Sequence, residues 1–244
     1  MMSTAANTNT MTWNLVRMKL ASSGYVLWQL MFLQGLGFLF SLNPNAGGGG
    51  GMQFMSYSFS SYSGTIVFFF TVIWMMIVTG GLTLKRVQTG VFSFPATRDT
   101  EAWSNGIIML IYSFIGALTA ILIQFPLILI HRFVMATDGI VIVEEATLAA
   151  YLSGFIGTWL YLLLTGSLAY LIWTLFQQHV FIRIGTVAAL AILLFTPVNS
   201  VTGSVFLWIA EENVLTVFAV KALLVSVVFY VSGFLLMRRM EVIR

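Results

Sequence analysis

Long apolar runs alternate with short polar stretches along this chain, and the runs set its architecture. They cover Gly24 to Leu42, Gly64 to Leu84, Gly106 to Ile130, Leu148 to Leu175, Ile184 to Trp208 and Val214 to Met237. Roughly 20 apolar residues carry a helix across ~30 Å of bilayer hydrocarbon, and each run meets or nearly meets that length. Leu, Ile, Val and Phe occur on all sides of the runs, and no ten-residue alternation recurs of the kind a membrane barrel needs. The pattern predicts an all-α integral membrane fold in one domain. Residues 1–23 form a tail and an interfacial helix, 24–237 a bundle of six transmembrane helices, and 238–244 a tail. Two stretches break the pattern. AGGGGG, Ala46 to Gly51, followed by SYSFSSYS, reads as a flexible linker with little internal structure. Pro197, Asn199, Ser200 and Gly203 interrupt the fifth run and predict a bent or re-entrant segment.

Composition agrees with this reading. Hydrophobic residues make up 59% of the chain and charged residues 8%, with a mean hydropathy of +0.96, which leaves too little polar surface for a water-soluble body. Six spans consume most of the 244 residues, so a soluble catalytic domain does not fit. The absence of cysteine excludes disulfides and thiolate metal sites. Met1 to Thr10 has no basic segment ahead of an apolar core, so no cleavable signal peptide is expected and the first run stays as a span.

Charge then orients the spans. With the N-terminus inside, Arg17, Lys19, Lys85, Arg86, Arg98, Arg183, Arg238, Arg239 and Arg244 are cytoplasmic, nine of the eleven basic residues. Arg132 and Lys221 are outside, with Asp138, Glu144, Glu145, Glu211 and Glu212. Both termini are then cytoplasmic, and the net charge of +3 faces anionic lipid headgroups rather than nucleic acid. The connection from Lys85 to Asn105 becomes the longest cytoplasmic loop. Gly90 and Pro95 break the preceding helix, and Thr97 is placed to cap a short helix along the membrane face with Asp99 and Thr100 in its first turn, before Trp103 re-enters the interface. Met11 to Ser22 supplies an amphipathic helix before the first span, with Trp13, Val16 and Leu20 on its apolar face and Lys19 close to that face.

Energy sources are constrained too. Lys19, Lys85 and Lys221 follow Met, Leu and Val, so no phosphate-binding loop is present. No charge lies between Leu20 and Leu84, and later spans carry charge only near their ends, which disfavours an ion-coupled transporter. Lys221, in the second turn of the last span, either snorkels toward Glu211 and Glu212 or serves a substrate path; with Glu144 and Glu145 these acids form either a negative outer mouth or ordinary solvated loops. Gln29, Gln34 and Gln124 predict hydrogen bonds between helices, and Gly154, Gly157 and Gly166 predict close helix contacts. His131 and His179 read as interfacial side chains, too far apart to share a metal.

The six-span pattern and the loop motif Phe94, Pro95, Ala96, Thr97, Arg98 resemble the membrane subunits of ABC-type exporters of the second export class. In many such permeases the loop reads Leu-Pro-(Val or Ile)-(Ser or Thr)-Arg and docks as a coupling helix into the ATPase; here Phe94 replaces Leu. The resemblance implies ATPase-coupling roles for Phe94, Pro95, Thr97, Arg98, Asp99 and Glu101. It also implies a soluble ABC ATPase dimer as partner, carrying ATP and magnesium, a second permease copy or paralogue, and residence in the inner membrane of a prokaryote. The uncharged, Met- and Phe-rich spans suit an amphipathic cargo, with peptide or antimicrobial-peptide export favoured. A non-transporting scaffold or sensor that docks a partner through the 85–105 loop is the alternative. An intramembrane enzyme is disfavoured, since no His-Glu-x-x-His, Gly-x-Ser-x-Gly or intramembrane aspartate pair occurs.

Overall fold

The computed structural model describes residues 8–42, 46–52, 55–61, 64–83, 98–134, 147–178, 182–188 and 214–239. In chain order these form α1 (Thr8–Ser22), α2 (Gly24–Ser41), β1 (Ala46–Met52), β2 (Met55–Ser61), α3 (Thr65–Thr83), α4 (Arg98–Leu122), α5 (Gln124–Val134), α6 (Leu148–Phe176) and α7 (Leu215–Arg239), with a short helical stretch at 182–188. Among the described residues five helical segments are long and apolar enough to cross a bilayer: Gly24–Ser41, Thr65–Thr83, Asp99–Ile130, Leu148–Phe176 and Leu215–Arg238. The chain is a multi-pass helical membrane protein. The fifth run expected from sequence, with its Pro197 break, lies outside the described residues apart from 184–188.

Large apolar side chains project outward on these helices. On α7 Val217, Val220, Leu223, Leu224, Val227, Val228, Val231 and Leu235 are exposed, whereas Phe218, Ala222, Ser226 and Met237 are buried. Such a band is costly in water and is what hydrocarbon solvates.

Two features depart from the expectations. The glycine run is β1 of an antiparallel hairpin, with Gly48 opposite Phe59 and Gly50 opposite Tyr57. SYSFSS alternates aromatic and serine with the period of a strand, and its ladder satisfies the glycine backbone that a free linker would leave to water. The third span is jointed: α4 ends at Leu122, Ile123 forms a turn, and α5 restarts at Gln124. Pro126 has no N–H for the Leu122 carbonyl, and its ring crowds that carbonyl.

The chain divides into two compact units. Unit two contains Tyr25–Trp74 and Phe114–Trp159. At its centre Gln34, buried on α2, donates through Nε2 to Thr71 Oγ1 (3.1 Å), Thr119 Oγ1 (3.0 Å) and the Gly116 carbonyl (3.4 Å). Thr71 and Thr119 donate their own protons to the carbonyls of Val67 and Ile115, which leaves oxygen lone pairs free to accept from Gln34. The buried Trp74 indole donates to the Val26 carbonyl at 3.1 Å. Interhelical bonding is therefore realised at Gln34, while Gln29 is exposed and Gln124 packs on Gly64. Phe114 meets Phe155 and Trp159 edge-on, and Phe125 stacks on Tyr151.

Unit one contains Met1–Gly24, Met75–Ser113 and Leu160–Arg244. Leu160, Phe218 and Ala222 form a core cluster of α6 and α7, with Tyr161 tilted on Phe218 at 4.7 Å between ring centroids. Glycines let large side chains in. A Cβ at Gly80 would lie 2.4 Å from Trp173, at Gly166 2.7 Å from the Met75 methyl, and at Gly233 2.7 Å from the Tyr170 ring. Of the three α6 glycines expected at close contacts, Gly166 makes one; Gly157 meets open space and Gly154 only an ordinary contact with Ile121.

Candidate functional site

Within unit one α1, the first turns of α4 and the last turns of α7 converge, and Lys19, Asp99, Glu101 and Arg238 lie there. α1 presents a half-buried Thr12 and buried Leu15, Val16 and Lys19, which follow the i, i+3, i+4, i+7 spacing of one helical face. This replaces the expected Trp13–Val16–Leu20 face: Val16 is buried, but Trp13 is exposed and Lys19 takes the buried position. Lys19 lies in the last turn, where the helix dipole favours a cation. Ser22 and Ser23 hydroxyls donate to the Lys19 and Leu20 carbonyls and close the helix end.

α4 starts at Arg98, close to the sequence expectation, with Asp99 and Glu101 in its first turn, where the dipole favours anions. It continues unbroken to Leu122, so residues 98–103 are the opening turns of the membrane helix and not a separate interfacial one. One face of the second turn carries Glu101, Ser104 and Asn105, all fully or almost fully buried. Lys19 Nζ donates to Asn105 Oδ1 at 2.6 Å and to Ser104 Oγ at 3.0 Å. Ser104 in turn donates its proton to the Glu101 carbonyl at 2.7 Å, so its lone pairs face the amine. Four residues beyond Lys19, in the turn that follows α1, Ser23 Oγ accepts from the Tyr112 hydroxyl.

Burial pulls the Lys19 ammonium down to about 8 from 10.5, with the Glu101 charge opposing that fall. Desolvation therefore costs this amine more than Glu101 returns, and Lys19 is not explained as a source of stability. Its amphipathic position was legible as a flaw in the apolar face of α1; that it turns inward onto Ser104 and Asn105 was not.

α7 closes the other side of α4. Tyr230 donates its hydroxyl to the Ala102 carbonyl, and its ring fills the notch at Gly106, where a Cβ would lie 2.6 Å from the hydroxyl oxygen. Tyr170 of α6 packs on Tyr230 at 5.2 Å and donates to Met237 Sδ at 3.2 Å. Asp99 pairs with Arg238 at 3.5 Å, an anion at the start of one helix against a cation at the end of another. Both side chains are about half exposed or more, which limits the pair to roughly 0–1 kcal/mol.

The residues expected to meet an ATPase thus separate. Asp99 is at the surface and held by Arg238, whereas Glu101 is fully buried and engaged toward Lys19, a correction to its expected exposure. The reason is helical phase: two residues beyond Asp99 the chain has turned about 200°. Arg98 is the first residue of α4; Phe94, Pro95 and Thr97 lie outside the described residues. Lys221 is half-buried in the second turn of α7, beside Phe218 and Ala222. Its expected partners Glu211 and Glu212, and the acids Glu144 and Glu145, lie outside the described residues, as does His179. Among the described residues no three His, Cys, Asp or Glu side chains converge to hold a metal ion. Compared with known proteins, the chain matches no family model, no curated protein and no solved structure.

Proposed function

We propose that the chain is the membrane-spanning permease subunit of an ATP-driven ABC-type exporter, moving an amphipathic or hydrophobic substrate, with peptides favoured. It works as two permease copies or paralogues with a separate soluble ATPase dimer that binds ATP and magnesium, in the inner membrane of a prokaryote with both termini cytoplasmic. The observation that carries this reading is the docking of amphipathic α1, through Lys19, onto the first turns of the helix that emerges from the 85–97 connection. A push on that connection reaches α4 directly and α1 through the Ser104 and Asn105 contacts, so the two move as one element. Arg98, the last residue of the Phe94–Arg98 motif, is the first residue of α4.

The test is purification from the native membrane. An ATPase co-purifies, and its hydrolysis is stimulated by substrate, while the chain alone turns over no ATP. Arg98→Glu weakens association and stimulation, because it sets a like charge against an acidic groove. Asp99→Ala has a smaller effect, since Asp99 is occupied by Arg238. Robust ATP turnover by the isolated chain, or unchanged association and stimulation in Arg98→Glu, rejects the reading.

A further inference from the structure

The contact between α1 and α4 poses a problem that crossing a membrane and docking a partner do not answer. Along α1 the large apolar side chains fully buried are Leu15 and Val16, while Trp13 and Arg17 stay exposed. Apolar contact is non-directional, so two adjacent aliphatic residues do not by themselves single out one register from another a turn, about 5.4 Å, away. The polar contacts do. Lys19 Nζ reaches Asn105 Oδ1 and Ser104 Oγ, and four residues later Ser23 accepts from Tyr112. Position increases together along α4 and along α1 with the turn that follows it, so the two contacts fix direction as well as register.

The charges around Lys19 are already allotted. Glu101 on α4 faces it, Asp99 on α4 is held by Arg238 of α7, and Arg17 on α1 is exposed. A buried amine placed at a net desolvation cost, yet aimed at one turn of one neighbour, fits a register device better than a stabilising one. We propose that Lys19 is a positioning residue that pins α1 to a single register on α4 through Ser104 and Asn105. The pin stands whether or not the chain works with an ATPase.

The natural chain lacks cysteine, so the full-length protein can carry two introduced labels without background. Spin labels at Thr10→Cys and Trp103→Cys, both exposed positions, report the slide of α1 along α4 as an electron paramagnetic resonance distance in lipid nanodiscs. The parent gives one narrow distance. In a Tyr112→Phe background, which removes the second contact and keeps the single distance, Lys19→Met combined with Glu101→Gln removes both charges together and strands neither, so the variant keeps its thermal midpoint at or above that background while the single distance splits into several. Loss of mere stability would do the reverse, lowering the midpoint while keeping one distance. A folded paired variant with the parental distance overturns the proposal. If the paired variant does not fold, Ser104→Ala combined with Asn105→Leu in the same background decides: it removes both acceptors of Lys19, and splitting supports the pin, whereas one parental distance or failure to fold rejects it.

Discussion

The amide of Gln34 donates to Thr71 Oγ1 at 3.1 Å, joining α2 to α3 through a hydrogen bond that water cannot reach. Thr119 of α4 accepts from the same nitrogen at 3.0 Å, so three helices share one donor group. Gln34→Leu removes every one of these bonds and is expected to destabilise the fold by about 0.6–2 kcal/mol, the range for polar contacts between membrane helices. Thr71→Val leaves Gln34 its bonds to Thr119 and Gly116 and costs less. Equilibrium unfolding in mixed micelles orders the two. A larger effect from Thr71→Val would show that the threonine, and not the glutamine, organises the site.

The glycine notches differ in how far their neighbours can give. Gly166→Ala drives a Cβ toward the Met75 Cε, the end of a flexible side chain, and is expected to cost under about 1 kcal/mol. Gly233→Ala drives it into the Tyr170 ring, which is packed against Tyr230, and is expected to cost about 1–3 kcal/mol. Thermal midpoints of the two variants give the comparison, and equal midpoints would refute the packing argument.

Lys19 makes the protein's stability depend on pH. Its pKa is about 8 when α1 is docked and 10.5 when solvated, so between these values the undocked state binds more protons. Docking is therefore favoured as pH rises through that window, by at most about 1.4 kcal/mol per unit, and Lys19 adds no pH dependence below it. Parent stability minus that of a Lys19→Met variant, followed from pH 7 to 10.5, should rise only above about 8, as the buried amine loses its charge. Parent stability that falls relative to the variant as pH rises has the wrong sign for a buried amine.

Topology is checked with single cysteines in the cysteine-free chain. Cysteines at Arg98 and near Arg244 are expected to resist an impermeant reagent applied to intact cells, and those at Gly48 and Glu144 to react. Labelling of the Arg98 position from outside would invert the orientation.

Helix positions were legible because spans are chosen by apolar length, a one-dimensional property that needs no knowledge of neighbours. The runs at 24–42, 64–84, 148–175 and 214–237 coincide with α2, α3, α6 and α7 to within a residue or two. Gln34 was legible as a bridging amide for the same reason, since a buried amide in an apolar run must find a partner somewhere. What the sequence left open was the identity of each partner. Whether Gly166 or Gly157 admits a neighbour, whether Glu101 meets solvent or the inside of the protein, and which way Lys19 turns all depend on helix rotation, and a rotation of 100° per residue converts a surface charge into a buried one within two positions. The glycine run likewise carries no strand signal alone; the alternating serines and aromatics at 55–61 supply the partner that makes it β1. Sequence alone determined that this chain lives in a membrane as apolar helices, because burial in lipid is decided residue by residue. Tertiary structure decided which polar groups meet, because a hydrogen bond of 2.6 Å between Lys19 and Asn105, 86 positions apart, exists only once two helices have fixed their rotation and register against each other.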